Sequence, residues 1–314
     1  MILLLQYTLI FASVLMLVAL GGCFAERSGV INIGLEGIMV VGALGGALVM
    51  KFLPVSLGAV PMVLLTVLVS AAMGALFSLF LAVAAIHFKA DQTITGTAMN
   101  MLATAGATVA VKAMNTAASG GNDVSSDIIY TQAKDLFIVR LGNFEFNWFM
   151  LVAAICLVLS YVALYKTRFG LRLRACGEHP QAAASVGINV FKMRYAGVLI
   201  SGLLGGLGGI VYITAGVSVW KFENGVAGFG FLAMAVMIFG GWHPLKIALS
   251  ALLFGFLRAL GNVYSGFDLL MALNIPGVFY NMLPYLLSLV VLAFTSKKSQ
   301  APKAAGMVYD KGSR

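Results

Sequence analysis

The chain has 314 residues, of which 61% are hydrophobic and only 10% are charged, with a formal net charge of +9. Because a soluble domain of ordinary composition carries about 25% charged residues, this composition excludes a soluble globular protein and indicates one that crosses a membrane several times. It also excludes a β-barrel, whose strands alternate apolar and polar residues. No soluble domain remains to bind nucleic acid, so the basic excess is assigned to loops that face anionic membrane lipid.

Long apolar windows recur along the chain, and a membrane helix needs about 20 mostly apolar residues. We therefore expect an all-α fold, a polytopic transmembrane helical bundle of about nine spans, with eight or ten as alternatives. The windows lie at 2–21, 34–50, 59–86, 94–111, 147–165, 195–215, 228–241, 247–263 and 278–295. Residues 1–295 are expected to form a single transmembrane domain, followed by a tail over 296–314. Glycines four residues apart, such as 42 with 46 and 202 with 206, predict close helix packing.

A polar stretch, ERSGVINIGLEG, lies between the first two windows, with glycines at positions 29, 34 and 37. Ionisable residues at membrane depth usually face a bundle interior or a water-filled path, and these glycines would let a helix break there, as in many transporter sites. We expect Glu26 and Arg27 to mark a turn at the cytoplasmic edge, not a buried ion pair. For Glu36, which lies deeper, two interpretations stay open: it lines or braces a solute path, or it pins a buried helix.

A second polar stretch, at 87–100, opens the fourth window. Asp91 suits the N-cap of a helix, and Thr97 and Asn100 follow three residues apart on one helical face. These two side chains either form hydrogen bonds with a neighbouring helix or contact a polar solute.

Lysine and arginine in the loops predict the orientation of the chain. The 166–194 loop holds six basic residues against one acid, and the tail after 295 holds five basic residues, so both are expected to be cytoplasmic. The 112–146 loop holds three basic residues against four acids and is expected outside. Four spans separate the 166–194 loop from the tail, which is consistent with both lying on one side.

The basic loop also contains a predicted short helix. Pro180 suits the first position of a helix and Gly187 suits its C-terminal cap, with a helix-forming sequence between them. The predicted helix has about two turns and lies at the cytoplasmic surface. It lacks the large apolar anchors of an interfacial helix that rests on lipid, so we favour docking of its small, alanine-rich face into a groove of a partner protein.

Motifs of enzyme chemistry are missing from the sequence. The histidines at 87, 179 and 243 fall in separate turns, and the three cysteines have no metal-pair or disulfide spacing. No H-E-x-x-H, C-x-x-C, G-x-S-x-G or phosphate-loop motif occurs. The sequence therefore predicts no catalytic residue, no metal site and no bound cofactor, and ATP-driven transport would need another chain to hydrolyse the ATP.

Three stretches give the chain a family resemblance: Glu26–Gly37, Arg174–Asn189 and the run from Gly228 to Leu245. The chain resembles the permease subunit of a bacterial ABC importer, in the group that includes branched-chain amino acid, simple-sugar and nucleoside permeases. The first stretch, together with Ala90–Gly96 and the tail Tyr309–Gly312, looks most like the nucleoside, guanosine-type branch.

The resemblance implies a type II importer fold in a bacterial cell membrane, with membrane lipid around it. It implies three partners: a second related permease, an ATPase that uses ATP and Mg²⁺, and an extracytoplasmic substrate-binding lipoprotein. It also implies that the ATPase is coupled to this chain through Gly177, Glu178, His179, Pro180, Ala183 and Gly187. Simple sugars or branched-chain amino acids remain alternative solutes, and an ion-coupled carrier with Glu36 as its ion site is an alternative mechanism.

The candidate residues for the solute path are taken from the polar stretches and from one aromatic position. The aromatic rings at 229 and 231 could stack on a base or could pack in the core. The path candidates are Asn32, Glu36, Thr97, Asn100 and Phe229.

Overall fold

The computed structural model describes residues 2–130, 135–142, 144–216, 219–295 and 301–311. Twelve α-helices occur in this part of the chain: α1 Ile2–Arg27, α2 Leu35–Phe52, α3 Ala59–Ala82, α4 Gln92–Ala118, α5 Trp148–Tyr165, α6 Arg168–Glu178, α7 Pro180–Ser185, α8 Val190–Gly216, α9 Phe229–Phe239, α10 Pro244–Val263, α11 Asp268–Ala272 and α12 Gly277–Thr295. Among the described residues, eight helical segments are long and apolar enough to cross a membrane, and α12 adds a shorter apolar helix, Gly277–Val290. The segment that contains α9 reaches this length only because it includes the turns before the helix, from Phe222. The predicted all-α polytopic bundle is confirmed, and the eight spanning segments fall within the predicted range of eight to ten.

The helix bounds differ from the apolar windows at several places, whereas α9 lies within its short window, 228–241. Helix α1 continues past residue 21 to Arg27. Helix α9 has 11 residues, so it is about 16 Å long, roughly half the thickness of a bilayer core. Helix α6 occupies part of the predicted loop, because Gly170, Leu173 and Cys176 recur at helical spacing and are buried on one face. Its many basic residues hide that pattern in the sequence.

Two small antiparallel sheets lie in the connections that follow α4 and α8. Strand β1, Asp127–Ile129, pairs with β4, Val219–Lys221. Strands β2, Ile138–Leu141, and β3, Phe144–Asn147, form a hairpin. The β1–β4 pair connects the 112–146 region to the segment that leads into α9. Of the predicted tail, 301–311 is described, whereas 296–300 and 312–314 lie outside the described residues.

Helix α8 lies at the centre of the bundle, against α1, α2 and α3. A Cβ on Gly42 of α2 would collide with the Gly206 backbone, and a Cβ on Gly74 of α3 would collide with the Gly202 carbonyl oxygen. These contacts bring the helix backbones together, as the glycine spacing predicts, and dispersion forces act between them at short range. The central helices are therefore held as one closely packed unit.

The substitution Gly206→Ala should destabilise this unit. The added Cβ would collide with the Ser70 carbonyl oxygen and lie 3.0 Å from the Gly74 Cα, and overpacking of this kind costs about 1–3 kcal/mol. The matched control is Gly106→Ala in α4, where the new Cβ meets no described atom within 4 Å and where alanine favours the helix. Thermal unfolding in detergent should show a lower midpoint for Gly206→Ala alone, and equal midpoints for the two variants would contradict the packing argument.

Candidate functional site

A non-helical segment, residues 28–34, separates α1 from α2 at the predicted polar stretch. The Ile31 N–H donates to the Gln92 Oε1 atom of α4 at 2.7 Å, and the Asn32 Nδ2 atom donates to the Ser201 hydroxyl of α8 at 2.8 Å. Irregular backbone is tolerated in a membrane protein where it is buried or lines a cavity. Here it is buried, and Asn32 itself is 1% exposed. The sequence places Asn32 on a path, and the structure places it between helices.

Asn100 connects α4 to the start of α2. Its Nδ2 atom donates to the Ile33 carbonyl at 3.0 Å, and its Oδ1 atom accepts from the Gly37 N–H at 2.7 Å. Gly37 itself lies inside α2, so the helix break expected at this glycine is wrong. A Cβ there would lie 2.8 Å from the Met99 carbonyl oxygen, and Gly37 therefore serves the close approach of α2 to α4.

The Glu36 carboxylate caps the N-terminus of α9. Its Oε1 atom accepts from the Gly228 N–H and its Oε2 atom from the Gly230 N–H, each at 2.7 Å. The first N–H groups of a helix have no intrahelical partner, and the helix dipole favours an anion at this end. Gly228 adopts a φ of +79°, and a Cβ on Gly230 would lie 2.5 Å from the Glu36 nitrogen. The two glycines thus allow α2 and α9 to begin against each other.

Glu26 holds the opposite end of α9. Its Oε2 atom accepts from the Trp242 indole N–H at 2.6 Å, and the Arg27 Nη2 atom donates to the Trp242 carbonyl at 3.1 Å. The expected turn at Glu26 is wrong, because α1 continues through it and buries it to 7% exposure. Arg27 pairs instead with Glu178 of α6, Nη1 to Oε1, at 3.7 Å. Helix α9 is therefore fastened at both ends by carboxylates from one short stretch of sequence.

His243 follows this contact at the start of α10. Its ring centroid lies 4.8 Å from that of Tyr165. Partial burial lowers the pKa of His243, and the positive charges of Lys246 and Arg27 lower it further. The imidazole is therefore neutral near pH 7, and it adds no charge to the basic end of the bundle.

The predicted short helix is present as α7. Pro180 stands at its first turn, and Gly187, with a φ of +83°, follows its end. The Gly187 N–H donates to the Ala184 carbonyl and the Ile188 N–H to the Ala183 carbonyl, which is the glycine-terminated Schellman arrangement. Pro180 and Ala183 are buried, and the outward face is formed by Gln181, Ala182, Ser185 and Val186.

The remaining residues of the predicted coupling set lie beside α7. Gly177 and Glu178 form the last turn of α6, and His179 is exposed between the two helices. A Cβ on Gly177 would collide with the Arg27 carbonyl oxygen. This close approach places the 166–194 segment against the end of α1, and we call this segment the docking loop and its helix α7 the docking helix after the role predicted for them. The outward side chains of α7, which would meet a partner first, are missing from the predicted set, although the helical spacing from Gln181 to Ser185 could have identified them.

Of two further path candidates, one is exposed at the surface of the chain and the other is buried in its core. Thr97 of α4 is exposed, and its hydroxyl donates to the Thr93 carbonyl one turn earlier. Phe229 is fully buried, with its ring centroid 4.5 Å from Tyr212 and 5.7 Å from Phe11. The Phe229 ring therefore faces the core, not an open path.

The exposed ring in the first turn of α9 is Phe231, which is 51% exposed. Thr104 continues the Thr97 face of α4, and its Oγ1 atom lies 3.6 Å from the position of a Cβ on Gly225. The sequence interpretation missed Thr104, although it stands four residues after Asn100. We group Thr97, Asn100, Thr104 and Phe231, with Glu36 as the residue that braces the start of α9, as candidate path residues, and we call this group the path face.

Arg258 is a second residue that the sequence interpretation missed. It lies inside α10, where its Nη1 atom donates to the Asn281 Oδ1 atom of α12 at 2.8 Å. Its guanidinium carbon lies 5.5 Å from the Phe229 ring centroid, within reach of a cation–π contact. A single arginine within the 247–263 window was the available signal, because a charge at membrane depth is costly without a partner.

Known proteins are similar to this chain over almost its full length. Residues 4–294 match the family model described as the permease component of the branched-chain amino acid transport system. The chain is 44% identical over 311 residues to the guanosine ABC transporter permease protein NupQ of Bacillus subtilis, covering 98% of this chain and 96% of that protein. It is 39% identical over 307 residues to the nucleoside ABC transporter permease protein NupC of Lactococcus lactis, covering 96% and 95%.

A more distant relative carries a different solute in its name. The putative glucose ABC transporter permease protein TsgC13 of Haloferax volcanii is 29% identical over 323 residues, covering 96% of this chain and 94% of that protein. No solved structure matches the chain. Since the family model and two relatives above 30% identity each span nearly all of the sequence, the chain belongs to this family of ABC transporter permease components.

Proposed function

We propose that this permease subunit imports nucleosides across a bacterial cell membrane by alternating access, driven by ATP and Mg²⁺ on a separate ATPase. The observation that carries the proposal is the double attachment of α9, which connects the docking loop to the path face. The nucleoside assignment is supported by the guanosine and nucleoside relatives. A second, related permease is part of the proposed importer, because two nucleoside permeases of Lactococcus lactis, NupB and NupC, both resemble this chain. An extracytoplasmic binding lipoprotein completes it, as the family resemblance implies.

Force from the ATPase would enter through the outward face of α7. Helix α7 follows directly on α6, whose Glu178 carboxylate faces Arg27. Arg27 in turn donates to the carbonyl of Trp242, just past the end of α9. A displacement of the docking loop therefore reaches α9 through one ion pair and one hydrogen-bonded turn. The 166–194 loop would lie in the cytoplasm in this arrangement, and the two small sheets would face the binding lipoprotein.

The path face would receive the solute. It combines hydroxyl and amide groups of α4 with the exposed Phe231 ring, and these suit a neutral solute that has polar edges and an aromatic base. The second permease would close this face, because the polar side of α4 is exposed in the single chain and lipid offers it no hydrogen bonds.

The mechanism of an ion-coupled carrier is disfavoured by the position of Glu36. Both carboxylate oxygens accept from backbone N–H groups of α9, so the carboxylate serves the helix and is not open to a passing ion. Simple sugars are the second candidate solute, and the putative glucose permease among the relatives is the observation that favours them.

The energy source is tested by reconstitution of the complete complex in vesicles. We expect accumulation of labelled guanosine that requires ATP inside, competes with other nucleosides and persists when ion gradients are collapsed. The control lacks the ATPase subunit and should not accumulate guanosine. Uptake without the ATPase, or uptake that stops when the gradients collapse, would contradict ATP coupling, and competition by glucose alone would reassign the solute.

Val186→Asp should break the docking of the ATPase. Val186 is the C-terminal cap residue of α7 and is 75% exposed. An uncompensated charge at a buried interface costs at least about 2 kcal/mol, so ATPase binding should weaken by about tenfold or more. Co-purification of the ATPase and ATP-dependent uptake measure the effect. Val124→Asp, at a position 64% exposed in the predicted outer loop, is the matched control. Equal ATPase binding by both variants would exclude α7 as the docking element.

Glu36→Ala should impair transport more than Glu36→Gln. Alanine leaves two helix N–H groups without acceptors, at about 1–3 kcal/mol each, whereas glutamine keeps one carbonyl oxygen. We expect a large loss of uptake and a lower unfolding midpoint for alanine, and partial retention of both for glutamine. An ion site would instead lose uptake equally with both variants. If both variants kept full uptake and assembly, Glu36 would have no role in transport, and the stretch would only be the start of a helix.

A further inference from the structure

The segment 301–311 returns to the end of the bundle where α6 and α7 lie. The Ala304 N–H donates to the Gly177 carbonyl at 2.8 Å, and the Gly306 N–H donates to the Gly29 carbonyl at 3.2 Å. These two backbone hydrogen bonds join the last turn of α6 to the turn that follows α1. The segment therefore connects the last turn of α6 to the non-helical stretch 28–34, which leads to Glu36.

Tyr309 anchors this segment beneath the docking helix. It is 4% exposed and packs in a small apolar cluster with Cys176 of α6, Ala183 of α7 and Val190 of α8. Its ring meets the Phe191 ring edge to face, with centroids 5.3 Å apart. The inward side of α7 therefore rests on a surface that the segment helps to build, and burial raises the pKa of the Cys176 thiol in that surface.

Arg194, near the start of α8, depends on the same segment. Its side chain is 1% exposed, and its Nη1 atom donates to the Met307 carbonyl at 2.9 Å. Its Nε and Nη2 atoms have no hydrogen-bond partner among the residues that the structure describes. A buried guanidinium is costly unless it is paired, so withdrawal of the segment would force Arg194 to rearrange.

A weaker contact extends the segment to another turn. The Lys89 ammonium lies 2.9 Å from the Asp310 carboxylate, and both side chains are about half exposed. An exposed pair of this kind adds little stability, but it places the segment beside the turn between α3 and α4. The segment thus contacts five separate parts of the bundle within eleven residues: α6, α7, α8 and the turns after α1 and α3.

We propose that residues 301–311 form a strap that couples the docking helix to the bundle, with Tyr309 as its positioning residue. This inference rests on the proposed ATP-driven import. With the strap in place, α6, α7 and the turn after α1 move together when the ATPase moves α7. Without the Tyr309 ring, α7 shifts against the bundle, and ATP hydrolysis is transmitted poorly to α9.

The test measures solute imported per ATP hydrolysed in the reconstituted complete complex. Tyr309→Ala should lower this ratio severalfold while ATP hydrolysis continues. Tyr309→Phe should behave as wild type, because it keeps the ring. Met307→Ala is the matched control within the strap, since its side chain is 60% exposed and only its carbonyl is used. Tyr309→Leu keeps much of the apolar volume without the ring, and it replaces the alanine variant if that variant does not assemble.

A second measurement reports the strap without transport. Cys176 belongs to the same apolar cluster as Tyr309 and is fully buried. Its labelling by a maleimide, followed by mass spectrometry, should be slow in wild type and faster in Tyr309→Ala. Faster labelling with an unchanged import ratio would overturn the coupling role, because the strap would then serve stability alone. Unchanged labelling and an unchanged ratio would overturn the strap itself. If wild type shows no ATP-dependent import, the proposed function fails as well, which distinguishes that outcome from failure of the strap alone.

Discussion

Helix α9 is half the length of a membrane span, and a carboxylate holds each of its ends. The turn after it leads directly into α10, so if that turn lies at the membrane edge, as proposed, α9 begins about 16 Å inside the membrane. At that depth lipid offers no acceptor for the first N–H groups of a helix. Glu36 supplies the acceptors, while Glu26 holds the indole of Trp242 at the other end. The start of α2 must therefore lie against the start of α9, and Gly228 and Gly230 make that approach possible.

This clamp turns a short polar stretch into a mechanical connection. Residues 26 and 36 lie in one stretch, yet they accept hydrogen bonds from residues that are 14 positions apart in the sequence, 228 and 242. The segment between them is bonded to Gln92 of α4 and Ser201 of α8. Close glycine contacts pack α8 against α1, α2 and α3, and Gly37 brings α2 against α4. In the proposed mechanism, these contacts would carry a movement of the docking loop to the path face.

At the end of the bundle that holds α6 and α7, a few contacts connect α7, α6 and the end of α1. Helix α7 exposes small side chains outward and buries Pro180 and Ala183 inward, where Tyr309 of the strap completes the surface beneath it. Arg27 and the strap both reach the last turn of α6, one through the Glu178 side chain and one through the Gly177 carbonyl. Two independent connections thus join α6 to the end of α1, one ionic and screened by salt, the other made by the backbone.

Sequence patterns were enough to predict the membrane class, a range of eight to ten spans, the close glycine packing and the short helix from Pro180 to Gly187, because hydropathy, spacing and capping act over a few neighbouring residues. The sequence also singled out Glu36 and Asn100 as unusual. It did not reveal that α1 runs through Glu26, that Phe229 points to the core, or that Thr104 and Arg258 lie near α9. Only the tertiary structure decided those points, because each depends on which distant backbone or side chain supplies the hydrogen bond or the packing surface. Local sequence shows that a carboxylate in a membrane needs a partner, and the fold alone selects the start of α9 as that partner.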